Sequence, residues 1–173
     1  MYENNFPKKR YKTTLDFAEH CLVKTDKILD LGIANPLSNL LKSRGFSVFN
    51  TFGEDLDLDF SSVENSSEDV VTAFEILEHL VAPFNVLSKI KAKKLIASVP
   101  LKLWFAAAYK SKSDPWDRHF HEFEDWQFDW LLEKAGWKIK ARKKWTNPTK
   151  KIGLRPILRW FVPRYYIVYA ERI

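Results

Sequence analysis

Glycine is scarce in this chain: five in 173 residues, at positions 32, 45, 53, 136 and 153. The scarcity bears on function, because a dinucleotide-binding turn needs a Gly-x-Gly-x-x-Gly run between a strand and a helix. The turn in that position reads Gly32-Ile-Ala-Asn-Pro36 and lacks the second and third glycines, which argues against such a site. Cysteine is scarcer still. Cys21 stands alone, so no internal disulfide forms and a reducing, cytoplasmic setting is expected. The opening Met-Tyr-Glu-Asn-Asn lacks a signal-peptide pattern. No apolar run approaches the ~20 residues that cross a bilayer, so no transmembrane segment is expected. Internal repeats and low-complexity tracts are also lacking.

Aromatic residues are plentiful, and they argue for a packed, globular chain rather than a disordered one. The length suits one domain over 1–173, large enough to bury about 70% of its unfolded surface. Charge is unevenly spread. Residues 137–173 carry eleven Lys/Arg against one acid, Glu171, so the preceding residues are net acidic although the whole chain is +6. Such asymmetry marks either a solvated basic face or a surface for nucleic acid or anionic lipid. The expectation is weak, salt-sensitive contact with nucleic acid or an anionic surface through 138–164.

Residues 1–12 read as a loose polar arm and Thr13–Leu22 as a helix, together an N-terminal unit over 1–26. Ile28–Leu31 is an apolar strand. Pro36 is placed to open a helix that Gly45 stops. Phe46–Phe52 is a β-type run, and 55–60 alternates apolar and acidic residues as a short strand or extended loop. Ser61–Glu68 is a polar connection. Asp69–Phe74 is a buried strand, Pro83 begins a helix, and Lys94–Val99 is a further strand closed by Pro100. Residues 101–122 are irregular and aromatic. Phe123–Ala135 is a helix ended by Gly136. Trp137–Trp145 and Tyr165–Ala170 are the last strands, with a basic, proline-containing insertion over 146–163. Strands alternating with helices predict an α/β fold with a mostly parallel sheet of about six to seven strands and right-handed crossovers. The last strand, with no helix before it, is expected to be antiparallel.

Two strand ends are loaded with polar groups: Lys27-Ile-Leu-Asp-Leu-Gly32 and Asp69-Val-Val-Thr-Ala-Phe-Glu-Ile-Leu-Glu-His-Leu80. In open parallel sheets ligands bind outside the carboxyl ends of the strands. Glu75, Glu78 and His79, at i, i+3 and i+4, would share one helix face. Two carboxylates and an imidazole suit a divalent ion, with His119 as a fourth candidate. The alternative is that they cap and pack the helix without metal. His119 and His121 lie beside Asp117, Arg118 and Glu122. They are candidates for an active-site mouth and a catalytic base, or for a polar cap on the next helix. Trp104, Phe105, Tyr109 and Trp116 suit an aromatic lid, or packing at the sheet edge.

Four passages together resemble the class I S-adenosylmethionine-dependent methyltransferases, close to the small-molecule branch that includes quinone-biosynthesis O-methyltransferases. They are Ile28-Leu-Asp-Leu-Gly32, Phe74-Glu-Ile-Leu-Glu-His-Leu80, Ile96-Ala-Ser-Val-Pro100, and His119-Phe-His-Glu-Phe123 with Trp130-Leu-Leu-Glu-Lys-Ala-Gly-Trp137. The resemblance implies a Rossmann-like three-layer sandwich, S-adenosyl-L-methionine as cofactor and methyl transfer to a small-molecule acceptor. It places Gly32, Ile33, Ala34 and Phe74 on the cofactor. The family ends its second strand with a carboxylate for the ribose hydroxyls. Phe52 holds that position here, so Glu54 takes the role if the strand is bulged, with Asp57 and Leu58 on the adenine side. Some relatives use residues like Glu75, Glu78, His79 and His119 for a metal. Two other readings stand beside this one: a degenerate methyltransferase fold acting as a binding module, and an RNA methyltransferase.

Overall fold

The computed structural model describes residues 8–114, 117–148 and 152–173. Six strands form one sheet: β1 (Lys27–Asp30), β2 (Ser47–Asn50), β3 (Val70–Phe74), β4 (Lys94–Pro100), β5 (Trp137–Thr146) and β6 (Pro163–Arg172). Their order is β2-β1-β3-β4-β6-β5. β2, β1, β3 and β4 run parallel, and β6 is antiparallel to both β4 and β5. This is the expected doubly wound arrangement with an antiparallel last strand, at the lower strand number.

The strands bury alternate residues on opposite faces, as a pleated strand must. Ile28, Val70, Ile96 and Ile167 pack with Tyr11, Leu15, Leu37 and Leu41 from α1 (Lys8–Cys21) and α2 (Pro36–Ser43). Leu29, Val71, Leu95 and Val168 pack on the other face. Their partners come from α3 (Ser61–Glu64), α4 (Pro83–Lys89) and α5 (Asp125–Lys134), among them Val63, Leu87 and Leu132. All fifteen are at most 6% exposed, so each contributes on the order of 1.5–3 kcal/mol of apolar burial. Trp137 is fully buried on the second face, and its indole N–H donates to the Leu87 carbonyl at 3.1 Å. Three layers follow: helices, sheet, helices.

Several boundaries differ from expectation. α1 begins at Lys8, so residues 8–12 are helix and not arm. The 55–60 segment is turn, and α3 interrupts the polar connection. The basic insertion contains α6 (Leu154–Phe161). The segment after β3 is not an α-helix. Glu75 takes a left-handed backbone (φ 57), and Leu77–His79 is a single 3₁₀ turn.

Candidate functional site

A cavity of about 670 Å³ opens at the carboxyl ends of β1, β3 and β4, with α1 and the start of β6 completing its wall. A smaller hollow at the opposite end, lined by Asp26, Asp69 and Lys94, is already neutralised: the Lys94 ammonium sits 2.8 Å from Asp26.

One side of the cavity is built from the β1 end. Gly32 has φ 98, a conformation that costs other residues strain. Its N–H donates to the Thr51 hydroxyl at 2.7 Å. Asn35 caps α2: its Oδ1 accepts from the amides of Leu37 and Ser38, and Ser38 Oγ accepts from the Asn35 amide. Pro36 falls at the first helical position, where a missing N–H costs nothing. The Ile33 and Ala34 amides donate to no protein group among the described residues. Behind them lies Asp30, 2% exposed. Burial pushes its carboxyl up to about 6, against the pull of hydrogen bonds from Thr72, Asn35 and Asn50.

The other side is built from the β3 end and the 117–123 segment. The strained Glu75 receives the Ser98 hydroxyl at 2.9 Å and the Arg10 guanidinium at 3.4 Å. Glu78 is 1% exposed, and its Oε2 has no hydrogen-bond partner. Burial, then the charge of Glu75, raises the Glu78 carboxyl well above the usual range. The Nε2 atoms of His79 and His119 lie 3.8 and 4.0 Å from Glu78 Oε1. The His79 Nδ1–H donates to the Arg118 carbonyl at 2.9 Å, and that of His119 donates to Glu122 at 2.8 Å. A carbonyl or carboxylate oxygen can only accept, which puts a proton on each Nδ1 and leaves each Nε2 on the side of Glu78. Burial, reinforced by His119, lowers the His79 pKa and keeps its ring neutral. Burial works against the Glu122 charge, yet hydrogen bonds from His119 and the Tyr109 amide, with the charge of Arg164, hold its carboxyl low.

Ligand atoms of Glu78, His79 and His119 all lie within 4.8 Å of one another, a spacing that admits one cation. The donor set fits a divalent ion. It offers one carboxylate and two imidazoles, each ring oriented by a second hydrogen bond, as metal-ligating histidines require. Glu75 belongs to the wall of this site rather than to the triad, because Ser98 and Arg10 engage its two oxygens.

The cavity brings together Gly32, Ile33, Ala34, Phe74, Glu75, Glu78, His79 and His119. Glu54, Asp57, Leu58 and His121 lie outside its lining. Glu54 folds back over the Gly53 turn (φ 87), where its Oε2 accepts from the Phe52 amide and its buried Oε1 has no partner. Asp57 accepts from the Val81 and Ala82 amides, both at 2.8 Å, at the start of α4. Leu58 is 80% exposed. His121 contacts the Val81 carbonyl and stacks on Phe123. Tyr109 lines the cavity, Trp104 and Phe105 pair edge to face outside its lining, and Trp116 lies outside the described residues. Sequence reasoning missed Arg10, Arg164 and Tyr165. All three line the cavity, and the Arg10 guanidinium sits 5.6 Å from the Tyr165 ring centre. The signal available was slight: an arginine at the start of α1 and an Arg-Tyr pair opening a strand.

No family model matches the chain, and no curated protein matches it in sequence. Solved structures do. A SAM-dependent methyltransferase from Archaeoglobus fulgidus is similar at 17% identity and TM-score 0.67, over 95% of this chain and 94% of that one. The 1,6-didemethyltoxoflavin-N1-methyltransferase of Burkholderia thailandensis, with S-adenosylhomocysteine bound, is similar at 14% identity and TM-score 0.60, over 99% and 85%. The [4+2]-cyclase SpnF is similar at 14% identity and TM-score 0.58, over 99% and 85%. The fold is therefore the Rossmann-like methyltransferase fold. Its occurrence in a protein named as a cyclase shows that fold alone does not fix the reaction.

Proposed function

We propose that this chain is a methyltransferase that binds S-adenosylmethionine and methylates a small-molecule acceptor. One observation carries the reading: a single cavity joins the Gly32–Asn35 turn to the Glu78–His79–His119 cluster. S-adenosylmethionine supplies an electrophilic methyl group on a sulfonium. The amides of Ile33 and Ala34 would hold the methionine carboxylate. Asp30 lies behind the turn as a counter-charge. Phe74 and the backbone after β3 would flank the transferred group. Much of the acceleration would come from alignment and exclusion of water.

On the acceptor side, neutral His79 presents its Nε2, suited to taking a proton from a hydroxyl, with the His119 ring beside it. Tyr109, Tyr165 and the Arg10 and Arg164 cations frame a pocket for a flat or anionic acceptor. Isothermal titration with S-adenosylhomocysteine tests the reading. Binding in the micromolar range is expected, and the absence of heat at millimolar ligand would sink it.

The orphaned Glu78 Oε2 favours a more specific form, in which Glu78, His79 and His119 hold a divalent ion. A bound cation would supply Lewis-acid polarisation of an acceptor oxygen. It would also relieve the burial of the Glu78 charge. Elemental analysis of protein purified without chelator should show a stoichiometric ion that EDTA removes. Metal-free protein with full activity would refute this form and leave the methyltransferase reading standing.

A further inference from the structure

Helix α6 turns its apolar side outward. Leu154, Ile157, Trp160 and Phe161 are 74, 55, 59 and 77% exposed, and no residue of the helix is buried. At about 100° per residue, Leu154, Ile157, Leu158 and Phe161 share one face, with Trp160 at one border, Arg155 at the other and Arg159 opposite. A helix that served only to pack the insertion onto the sheet would point the other way. Just before it, Ile152 is also fully exposed.

The segment that carries this face has charge of one sign. Residues 138–164 contain ten Lys/Arg and no acid. Some are spent on the fold: Lys140 pairs with Glu171, Arg142 with Asp129 and Lys144 with Asp125. Among the described residues, Lys143, Arg155 and Arg159 form no salt bridge; Lys138 also forms none, but it lies at the far end of β5 beside Glu171. The helix also has a fixed place relative to the cavity. Pro100 of β4 faces Tyr165 of β6, so the chain entering β6 from α6 does so at the carboxyl end of the sheet. Arg164 and Tyr165 line the cavity three and four residues after Phe161. The Leu101 amide donates to the Arg164 carbonyl at 2.7 Å, which ties the 101–105 segment and its 74% exposed Trp104 to the same rim.

We propose that α6 is an interfacial anchor for an anionic lipid surface. Its aliphatic and aromatic side chains enter the headgroup–acyl boundary, and Arg155 and Arg159, with Lys143 of β5, meet lipid phosphates. An amphipathic helix with aromatics on one side and cations on the other is the chemistry such a surface selects. Nucleic acid would use the cations and the rings but offers nothing to Leu154 and Ile157. A second copy would need a broader apolar contact than eight residues supply, since stable dimers bury ~800 Å² per partner. The anchor goes beyond the methyltransferase reading and does not rest on it.

Flotation of the full chain with vesicles of phosphatidylcholine containing about 30% phosphatidylglycerol, at physiological ionic strength, tests this. Most of the protein is expected to float with these vesicles and at least tenfold less with pure phosphatidylcholine. The double variant Trp160→Glu, Phe161→Glu should lose at least tenfold in partitioning while keeping its melting temperature and its S-adenosylhomocysteine affinity. Wild-type tryptophan emission should shift to the blue with anionic vesicles, and Trp160→Phe should remove most of that shift. Three results would overturn the proposal: no flotation with anionic vesicles, flotation untouched by the double variant, or a stable dimer in solution that the double variant dissolves.

Discussion

The β1 end and the β3 end face each other across one cavity, yet they treat their polar groups in opposite ways. At the β1 end most side-chain groups close on one another, and the Ile33 and Ala34 amides and the buried Asn50 Oδ1 are left open. Asp30 takes three donors, Asn35 caps α2, and Thr51 receives the Gly32 amide. At the β3 end they are left in conflict. Half-buried Glu75 and buried Glu78 lie close enough to oppose each other's charge, Glu78 Oε2 has no partner, and two imidazole Nε2 atoms lie within 4.0 Å of the Glu78 carboxyl. The first arrangement suits a cradle that must not change when ligand arrives. The second stores unfavourable electrostatics that a proton or a cation relieves, as expected where chemistry takes place.

The strongest test of this contrast breaks the cradle. Gly32→Val places a β-branched side chain at φ 98, with its Cβ about 3.4 Å from Ile76 Cδ1. S-adenosylhomocysteine affinity should fall at least a hundredfold by calorimetry, with a stability cost of roughly 1–3 kcal/mol. Binding within threefold of wild type would show that the turn is not the cradle.

The second test removes the conflict. Glu78→Gln keeps the shape but not the charge. Turnover should drop on the order of 10²–10³-fold, bound metal should be lost, and the melting temperature of the metal-free protein should not fall. A large loss of stability would make Glu78 a structural residue.

Titration of Asp30 gives a subtler effect. Its folded pKa, about 6, lies above the ordinary carboxyl value because of burial. Its contribution to stability is therefore fully present below the unfolded pKa and is lost as pH rises through about 6. A bound cation favours the ionised form, so affinity for S-adenosylmethionine should rise between pH 5 and 7 and level off above. A flat profile would remove Asp30 as the counter-charge. The smallest effect is expected at Asp57→Ala. Losing the acceptor at the start of α4 should cost about 0.5–2 kcal/mol in chemical denaturation and leave S-adenosylhomocysteine affinity unchanged.

The two ends also differed in how plainly the sequence announced them. β1, β3 and β4 are covered on both faces, so they read as continuous apolar runs. The Gly32 turn, the Pro36 start of α2 and the Glu78–His79–His119 set were visible for the same local reason: short-range patterns fix them. What stayed hidden depends on distant contacts. Arg10 belongs to the site only because α1 packs beside β6. Glu75 looked helical by spacing, but a left-handed backbone breaks the helix there. Asp57 looked like a ligand and instead caps α4, 24 residues on from it in sequence. Helix α6 escaped notice because its apolar residues, broken by Pro156, face outward where no core pattern records them.

The position of β6 has a consequence for how the molecule comes into being. β5 is made before β6, yet it joins the sheet only through β6, which lies between it and β4. While the ribosome extends the chain beyond Pro100, the edge of β4 stays open until residues 163–172 emerge. At ~5–20 residues per second that wait is roughly 3–13 s. Throughout it, the Ile96 and Ala97 edge of the nascent sheet has unpaired amides and carbonyls, a template for mispairing. A trigger-factor-like chaperone, or slow codons after β4, would be expected to affect the yield of this protein more than that of a sheet whose strands pair in the order they are made.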